Sequence, residues 1–435
     1  MKKTKNQVDG QLVKNMLDAD VDFVNWLITQ HDLGKDYVFG DGPFNSKGLV
    51  GTYDEPYNHK RIDTSIGPGG NGFLCKKLLG ILLDKGGEIF YRAPATKLLT
   101  DESGAVTGVL AQDPGGEIEI HAKAVIVCAG AFTHNKELMA QFQPIFYRDD
   151  GSEPVHIFTC STCTGDGISM CEAIGADIDY VHRRVNMFGP MRHPYPGVTL
   201  NIGNGPMFRT DGVRYEKGFD NQEVSDLAFA PHRFVWKITN EANARAAIED
   251  KIAQGPDLHG IDLGHFLRHW KAVLAEEAED HSVVIADTLE ELAEKLGFDP
   301  ERFVSDIAQY HRSLSETPPV PPAPSPDGPG DGEMDLSFLM GPPPRPMEAG
   351  PYYAIKMKLF HENSVGGMVI DENTRVLRDG APIPGLYAAG DNTRGIMLPG
   401  NIGVRYIERV FSALTVAFNT GYIAGVEAAA FAQGV

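Results

Sequence analysis

Apolar positions near the start of the chain recur at helical spacing. From Gln11 to Gln30 they fall three or four residues apart, with charged and polar residues between them, at Val13, Leu17, Val21, Val24 and Ile28. This pattern predicts an amphipathic surface helix. A second helix is predicted after the glycine-rich segment 67–72, ending at Gly86-Gly87 as a C-cap pair would, with a core face made of Leu74, Leu78, Ile81 and Leu82.

The next hundred residues are typical of β-structure. Short apolar runs separated by Asp, Gly and Pro residues predict a β-meander with strands at 88–92, 96–100, 106–111 and 117–121. The continuous apolar run Ala124–Gly130 predicts a central strand buried on both faces. The same pattern returns at Gly385–Asp391, before an apolar helix predicted from about Tyr406 to Ala430.

Between these two strands the chain changes character. Aromatic and basic residues fill the stretch from about 180 to 215, and helical periodicity covers about 241 to 314. Eleven of the 29 prolines then fall within 318–346. This connector is either a solvated linker or a segment lying over a domain junction. The order of elements predicts a parallel-sheet domain interrupted by an inserted domain.

Composition excludes several classes of function. A chain of 435 residues predicts two domains. The net charge of −20, from 59 acidic and 39 basic residues, repels a phosphate backbone and excludes nucleic acid as a partner. The sequence predicts no membrane span, because no apolar run reaches about 18 residues. With a basic start but no apolar signal region, we expect a cytoplasmic protein.

The five cysteines show no paired spacing along the chain, which predicts free thiols in a reducing compartment. Cys160-Ser161-Thr162-Cys163 has the spacing of half a metal site. A complete site needs about four ligands, and Cys75 and Cys128 belong to other predicted elements. Ordinary buried or partly exposed thiols are therefore the expectation, and no metal is predicted.

A set of motifs in a fixed order carries a family resemblance. They are Gly69-Gly70-Asn71-Gly72, Val106-Thr107-Gly108-Val109, the 124–132 run, Thr164-Gly165-Asp166-Gly167, Gly366-Gly367-Met368 and the 383–391 segment. In this order the chain resembles the FAD-dependent flavoproteins of the fumarate reductase and 3-ketosteroid dehydrogenase superfamily. The resemblance implies an α/β fold: an incomplete Rossmann-like FAD-binding domain with a β-meander (1–175 and 350–435), interrupted by an α+β capping domain (176–349).

The resemblance also implies which residues contact FAD. Asp391 occupies the place of an acidic residue that binds the ribityl or pyrophosphate region, the backbone of Ala95 that of a contact to adenine, and Asp166 that of a second acidic contact. Gly130 and Ile407 complete the predicted set. Glycines at strand ends allow backbone to approach a dinucleotide. For each residue the alternative is a strand-end turn that binds nothing.

Two departures from the family pattern change the expectation. The family begins with a strand, a Gly-x-Gly-x-x-Gly loop and a helix, and the residues before Gln11 have no room for that unit. We therefore expect this chain alone to bind FAD poorly: the sequence is truncated, its start is misplaced, or a second polypeptide supplies the missing strands. Fumarate reductases bind their dicarboxylate with a His and an Arg, and this chain has Asn363 and Asn401 at the corresponding positions. The position of their proton-donating Arg corresponds to the neighbourhood of Gln222. These replacements disfavour a diacid substrate.

The predicted chemistry is hydride transfer by the flavin, assisted by side chains that polarise a carbonyl and move a proton. Catalytic candidates are Arg405, Tyr406, His361 and Tyr215. The alternatives to a catalytic role are that Arg405 is a surface or salt-bridged arginine and that His361 is an ordinary loop histidine. Leu398 stands where ketosteroid dehydrogenases carry a tyrosine.

The sequence predicts an ene-reductase or dehydrogenase acting on a carbonyl-conjugated C=C or CH–CH bond of a steroid-like or other small molecule. The alternatives are a non-catalytic or partner-dependent subunit and a truncated, inactive flavoprotein.

Overall fold

The computed structural model describes residues 9–31, 39–40, 51–55, 58–62, 70–143, 156–157, 159–182, 186–188, 205–215, 233–254, 268–316, 345–361, 365–394 and 413–434. In these ranges helices and strands are mixed throughout, as an α/β fold requires. The helices are α1 (Gly10–His31), α2 (Gly70–Asp84), α3 (Lys136–Phe142), α4 (Asp166–Glu172), α5 (Glu241–Gln254), α6 (Trp270–Glu279), α7 (Leu289–Leu296), α8 (Pro300–Glu316) and α9 (Ala413–Gln433).

The strands form five sheets within these ranges. Their bounds are β1 (Phe39–Gly40), β2 (Gly51–Glu55), β3 (Asn58–Ile62), β4 (Ala95–Thr100), β5 (Val106–Asp113), β6 (Gly116–His121), β7 (Val125–Val127), β8 (His156–Ile157), β9 (Ile178–His182), β10 (Asn186–Phe188), β11 (Met207–Phe208), β12 (Phe234–Asn240), β13 (Val283–Ala286), β14 (Tyr352–His361), β15 (Val365–Met368), β16 (Arg375–Arg378) and β17 (Ala381–Ala388).

The first predicted helix is confirmed as α1, and its sequence explains its start and its packing. The carboxylate of Asp9 accepts the backbone N–H groups of Gln11 and Leu12, each at 3.0 Å, and so caps the helix. The predicted apolar face is wrong at Leu17, whose side chain is 40% exposed; the buried face includes Leu12, Met16 and Leu27. This face packs against α9, where the rings of Phe23 and Phe418 stack at 5.5 Å between centroids, and Asn419 Nδ2 donates to the carbonyl of Met16 at 3.0 Å.

The predicted meander is confirmed for three of its four strands. β4, β5 and β6 pair antiparallel in that order. Residues 88–92 form no strand, because the chain turns at Tyr91-Arg92 and Arg92 has a positive φ of 56°. The predicted core face of α2 is also wrong at Leu82, whose side chain is 48% exposed.

The two distant apolar strands are neighbours. β7 and β17 pair parallel, with Leu386 opposite Val125 and Ala388 opposite Val127. They belong to a three-stranded sheet in the order β16–β17–β7. Within the described residues β7 is an edge strand and Ile126 is 38% exposed, so the expected central strand buried on both faces is not what the structure contains. A core cluster that includes Leu98, Leu386, Ala388 and Ile423 packs this sheet against α1, the meander and α9.

A larger sheet occupies the inserted part of the chain. β14 lies at its centre and pairs antiparallel with β10, β12 and β13 and parallel with β8, while β11 pairs with β12. Two apolar clusters cover it, one including Trp270, Val273 and Ile355 and the other Phe298 and Phe303. The helices predicted between 241 and 314 are present, with β13 among them. The domain boundaries at 175 and 350 stay a prediction.

His311 gives this part of the fold a pH dependence. Its Nε2 accepts the backbone N–H of Met347 at 3.0 Å, which requires an unprotonated nitrogen. Burial lowers the pKa of His311, and the charge of Glu348 opposes that shift. Because the folded-state pKa lies below the unfolded value of about 6.5, the contribution to stability is present above that pH and is lost as the pH falls below it.

We therefore expect urea unfolding midpoints to fall between pH 7.5 and pH 5.5 by more in the unmodified protein than in His311→Gln. Glutamine keeps an acceptor for Met347 and does not titrate. Equal pH dependence in both proteins would show that another group is responsible.

Candidate functional site

The carboxyl ends of the parallel strands β7 and β17 meet at one edge of their sheet, in which β16 pairs antiparallel with β17. Beyond β17 the chain forms a 3₁₀ turn, Gly390–Asn392. Beyond β7 it continues to Gly130, whose φ of +77° places it in the left-handed region. Ligands of open α/β sheets bind outside the carboxyl ends of parallel strands. We call this edge, formed by residues 128–131 and 389–394, the strand-end site.

Asn392 joins the two halves of the strand-end site. Its side chain is fully buried. Nδ2 donates to the carbonyls of Val127 and Ala389, each at 3.1 Å, and Oδ1 accepts the N–H of Gly130 at 3.2 Å. One side-chain amide therefore holds both strand ends together through three hydrogen bonds to the backbone.

A third segment, the turn before α4, packs against the strand-end site. The N–H of Gly165 donates to the carbonyl of Ala131 at 3.0 Å. Gly165 has a φ of +77°, and a Cβ there would lie 2.8 Å from Cβ of Phe132. The close packing therefore needs glycine. Asp166 is the exposed first residue of α4, and Thr164 Oγ1 donates to its Oδ2 at 3.0 Å.

A fourth segment, α9, holds the 3₁₀ turn from the other side. Thr420 is fully buried, and its Oγ1 accepts the N–H of Gly390 at 3.0 Å. Gly390 itself has a φ of +74°. The turn next to Asp391 is thus fixed by side chains from outside its own strand.

Arg394 is the buried cation of this edge. It is only 4% exposed, and its Nε and Nη1 have no hydrogen-bond partner among the described residues. Burial lowers the pKa of Arg394, and the charges of Asp179 and Asp9 act in the opposite direction. The backbone N–H of Arg394 donates to the carbonyl of Met368 at 2.9 Å, which ties it to β15.

The predicted cofactor residues fall in several places. Gly130, Asp166 and Asp391 belong to the three segments that meet around the strand-end site. Asp391 is half-buried. Ala95 begins β4 in the meander sheet, where it pairs with Ala111. Ile407 lies outside the described residues.

The predicted catalytic residues are not brought together by the described structure. Tyr215 is half-buried and packs against the core cluster of the larger sheet, and its N–H donates to the carbonyl of Met207 at 3.0 Å. His361 ends β14, where its backbone pairs with Ile157. Arg405 and Tyr406 lie outside the described residues, as do Asn363, Asn401, Gln222 and Leu398. Their roles stay predictions.

Sequence reasoning missed Asn392, Thr420 and Arg394. One signal was present: the polar run Asp391-Asn392-Thr393-Arg394 follows directly on a buried apolar strand. Polar residues at the carboxyl end of such a strand are positioned to contact a ligand. Thr420 had no comparable signal, because it lies in an apolar helix and its partner is distant in sequence.

The cysteines that suggested half a metal site form a turn, in which the N–H of Cys163 donates to the carbonyl of Cys160 at 2.9 Å. Among the described residues no group of three or more His, Cys, Asp or Glu side chains could hold a metal ion. No helix in the described ranges is both long and apolar enough to cross a membrane.

Parallel strands with glycines and polar side chains at their carboxyl ends are typical of the dinucleotide-binding class of α/β proteins. The profile of the FAD binding domain family matches residues 1–403. The chain belongs to this family, and FAD is its cofactor. The observed edge fits such a ligand: Gly130 and Gly390 present backbone without side chains, and Arg394 offers unpaired N–H groups to an anionic molecule.

Individual relatives agree with this assignment. The chain is 27% identical over 363 residues to 4-oxocyclohex-2-ene-1-carboxylate 5-dehydrogenase of Sinomonas cyclohexanicum, covering 78% of this chain and 57% of the relative. It is 25% identical over 436 residues to a probable fumarate reductase, Ifc3, of Shewanella frigidimarina, covering 99% of this chain and 63% of the relative. The chain thus spans less than two thirds of either protein.

A solved structure shares the fold. The open conformation of a flavocytochrome c3 fumarate reductase superposes with a TM-score of 0.65 at 21% identity, over 99% of this chain and 66% of that one. At this identity the likeness establishes the fold. The predicted superfamily is confirmed.

Proposed function

We propose that this chain is an FAD-dependent oxidoreductase that adds or removes hydrogen across a C–C bond next to a carbonyl group. The observation that carries the proposal is the junction of β7 and β17, where Asn392 bonds to Gly130 and fixes both strand ends. FAD, when bound, exchanges a hydride with the substrate carbon. The family assignment and the relatives named above support the reaction class.

The substrate we propose is a small conjugated ketone or a related activated alkene. The Sinomonas relative is named for a cyclohexene that carries a ketone conjugated to its double bond and a carboxylate. The absence of a His and an Arg at positions 363 and 401 disfavours a diacid. A compound with one carbonyl activating the alkene, and at most one carboxylate, suits both observations.

Within this proposal the chain's own residues have separate tasks. Gly130, Asp166 and Asp391 contact the cofactor, with Ala95 and Ile407 at its other parts. Tyr215 and His361 are candidates to move the proton, since phenol and imidazole groups donate and accept protons in enzymes. Arg405 and Tyr406 are candidates to polarise the substrate carbonyl. Residues 176–349 form the proposed capping domain over the substrate.

Asp391 provides the test of cofactor binding. If its carboxylate accepts a hydroxyl group of FAD, Asp391→Asn is expected to weaken FAD binding about tenfold, because a hydrogen bond to a charged group contributes about 1.5–3 kcal/mol. Fluorescence titration of the purified chain with FAD measures the change. Glu117→Gln, on exposed β6, is the matched control and should leave the affinity unchanged. Equal affinity in Asp391→Asn and the unmodified protein would remove Asp391 from the site.

A partner-dependent flavoprotein is a second candidate, and the exposed edge of β7 favours it. Parallel strands are normally covered on both sides, yet within the described residues β7 pairs with β17 alone and Ile126 is exposed. A second polypeptide could add strands there and complete the FAD site. If the purified chain binds FAD alone, the first candidate stands. Binding that appears only after coexpression with such a polypeptide would favour the second.

A further inference from the structure

Arg394 is a buried cation with unused hydrogen-bonding capacity. It is 4% exposed, and neither Nε nor Nη1 has a partner among the described residues. Buried charged groups are normally paired or hydrogen-bonded, because removing them from water without compensation is unfavourable. The side chain is therefore incomplete without a further acceptor.

The nearest carboxylates do not supply that acceptor to these two nitrogens. Asp179 on β9 and Asp9 before α1 are close enough for their charges to raise the pKa of Arg394, although burial has the larger and opposite effect. Asp179 is itself 8% exposed. These charges partly balance the guanidinium while leaving Nε and Nη1 available to a ligand.

The backbone of Arg394 is held at the strand-end site. Its N–H donates to the carbonyl of Met368, and Thr393 forms a parallel bridge with Met368. Two residues earlier, Asn392 binds the end of β7. The backbone of Arg394 therefore lies at the edge where a parallel pair of strands receives its ligands, and its guanidinium, which senses the charges of Asp179 and Asp9, matches planar anions in shape and charge.

We infer that Arg394 binds a planar, delocalised anion at the strand-end site. Two groups can supply such an anion, the carboxylate of a substrate and the negatively charged ring of reduced FAD. The inference rests on the proposed function, since it places cofactor and substrate at this edge. It adds a ligand-binding residue that the sequence did not predict.

The experiment compares the unmodified protein with Arg394→Gln and Arg394→Lys, each loaded with FAD. The probe is crotonate, a small conjugated monocarboxylate, and crotonamide is its uncharged counterpart. The shift of the thermal unfolding midpoint with probe concentration gives affinity. The midpoint potential of bound FAD reports the stability of the reduced ring. Arg209→Gln, exposed and paired with Asp211, is the matched control.

If the anion is a substrate carboxylate, Arg394→Gln loses at least tenfold in crotonate affinity and none in crotonamide affinity, with the potential unchanged. If it is reduced FAD, the preference for the reduced cofactor falls at least tenfold, which is about 30 mV for a two-electron couple, and crotonate binding is unchanged. In either case Arg394→Lys retains part of the effect. A folded Arg394→Gln that changes neither quantity overturns the inference.

Asp179→Asn keeps the test decisive if Arg394→Gln does not fold. Removing a negative charge beside Arg394 should tighten crotonate binding or raise the potential, and no change in either would overturn the inference. If the chain alone holds no FAD, the first candidate function fails on that result, separately from the inference about Arg394. Without FAD the reduced ring is no longer a source of the anion, so the comparison of crotonate with crotonamide on the FAD-free protein decides the inference: equal crotonate affinity in Arg394→Gln and the unmodified protein overturns it.

Discussion

Replacing Asn392 with leucine is expected to lower the free energy of unfolding by about 3 kcal/mol. The substitution removes the acceptor for the N–H of Gly130 and the donor to the carbonyl of Ala389, at a position that is fully buried. Leaving buried polar groups without partners costs about 1–3 kcal/mol each. Urea unfolding monitored by circular dichroism measures the loss.

The matched control is Asn15→Leu. Asn15 is half-buried and its Nδ2 donates to one carbonyl, that of Glu372 at 2.9 Å. Its Oδ1 also accepts from Nε2 of the exposed Gln11 at 2.9 Å, where water can replace the partner. We expect a loss of about 1 kcal/mol or less at Asn15, the ordinary net contribution of a hydrogen bond. Losses of similar size at both positions would contradict the role given to Asn392. Asn392→Leu should also bind FAD weakly, because the ends of β7 and β17 separate when their shared amide is lost.

Replacing Gly367 with alanine is expected to have an effect at least as large. Gly367 lies on β15 with a φ of +149°, and a Cβ there would sit 2.1 Å from the carbonyl oxygen of Asn392 and 3.2 Å from the backbone nitrogen of Thr393. Both neighbours are backbone atoms, so relief requires β15 to move away from the strand-end site. We expect a loss of about 3 kcal/mol or more, the upper range for overpacking combined with an unfavourable φ.

Gly380→Ala separates the cost of the steric clash from the cost of the unfavourable φ. Gly380 also has a positive φ, of 75°, but a Cβ would meet nothing within 4 Å. Its loss should be about 1–2 kcal/mol, the cost of the backbone conformation alone. Hydrogen exchange adds a local readout. The amide of Arg394, which donates to Met368, should lose protection in Gly367→Ala and keep it in Gly380→Ala. Protection unchanged in both would show that β15 does not move.

The strand-end site connects these predictions to function. Asn392 and Gly367 maintain the geometry of the strand-end site. Asp391 is proposed to contribute to FAD affinity, and Arg394 to bind an anion. The readouts therefore differ: Asn392 and Gly367 variants change the unfolding free energy, Asn392 and Asp391 variants change FAD binding, and Arg394 variants change crotonate affinity or flavin potential. A cofactor site elsewhere in the chain would leave FAD binding unchanged in the Asn392 and Asp391 variants.

Local sequence determined much of the secondary structure and the identity of the two key strands. Helix α1 follows from its apolar period, and the three meander strands follow from alternation broken by turn residues. The similar apolar runs ending at Gly130 and Asp391 predicted two strands of a parallel sheet, and β7 and β17 do pair in parallel. The family order of glycines and acidic residues predicted FAD.

Only the tertiary structure decided which surfaces are covered and which polar groups are paired. The period of α2 predicts an apolar face but cannot say whether another element packs on it, and Leu82 is exposed. Asn392 lies 262 residues from Gly130, and the buried Arg394 senses the charge of Asp179 on the distant strand β9. Burial and hydrogen bonding depend on what the whole chain brings to a point, whereas periodicity records only near neighbours along it.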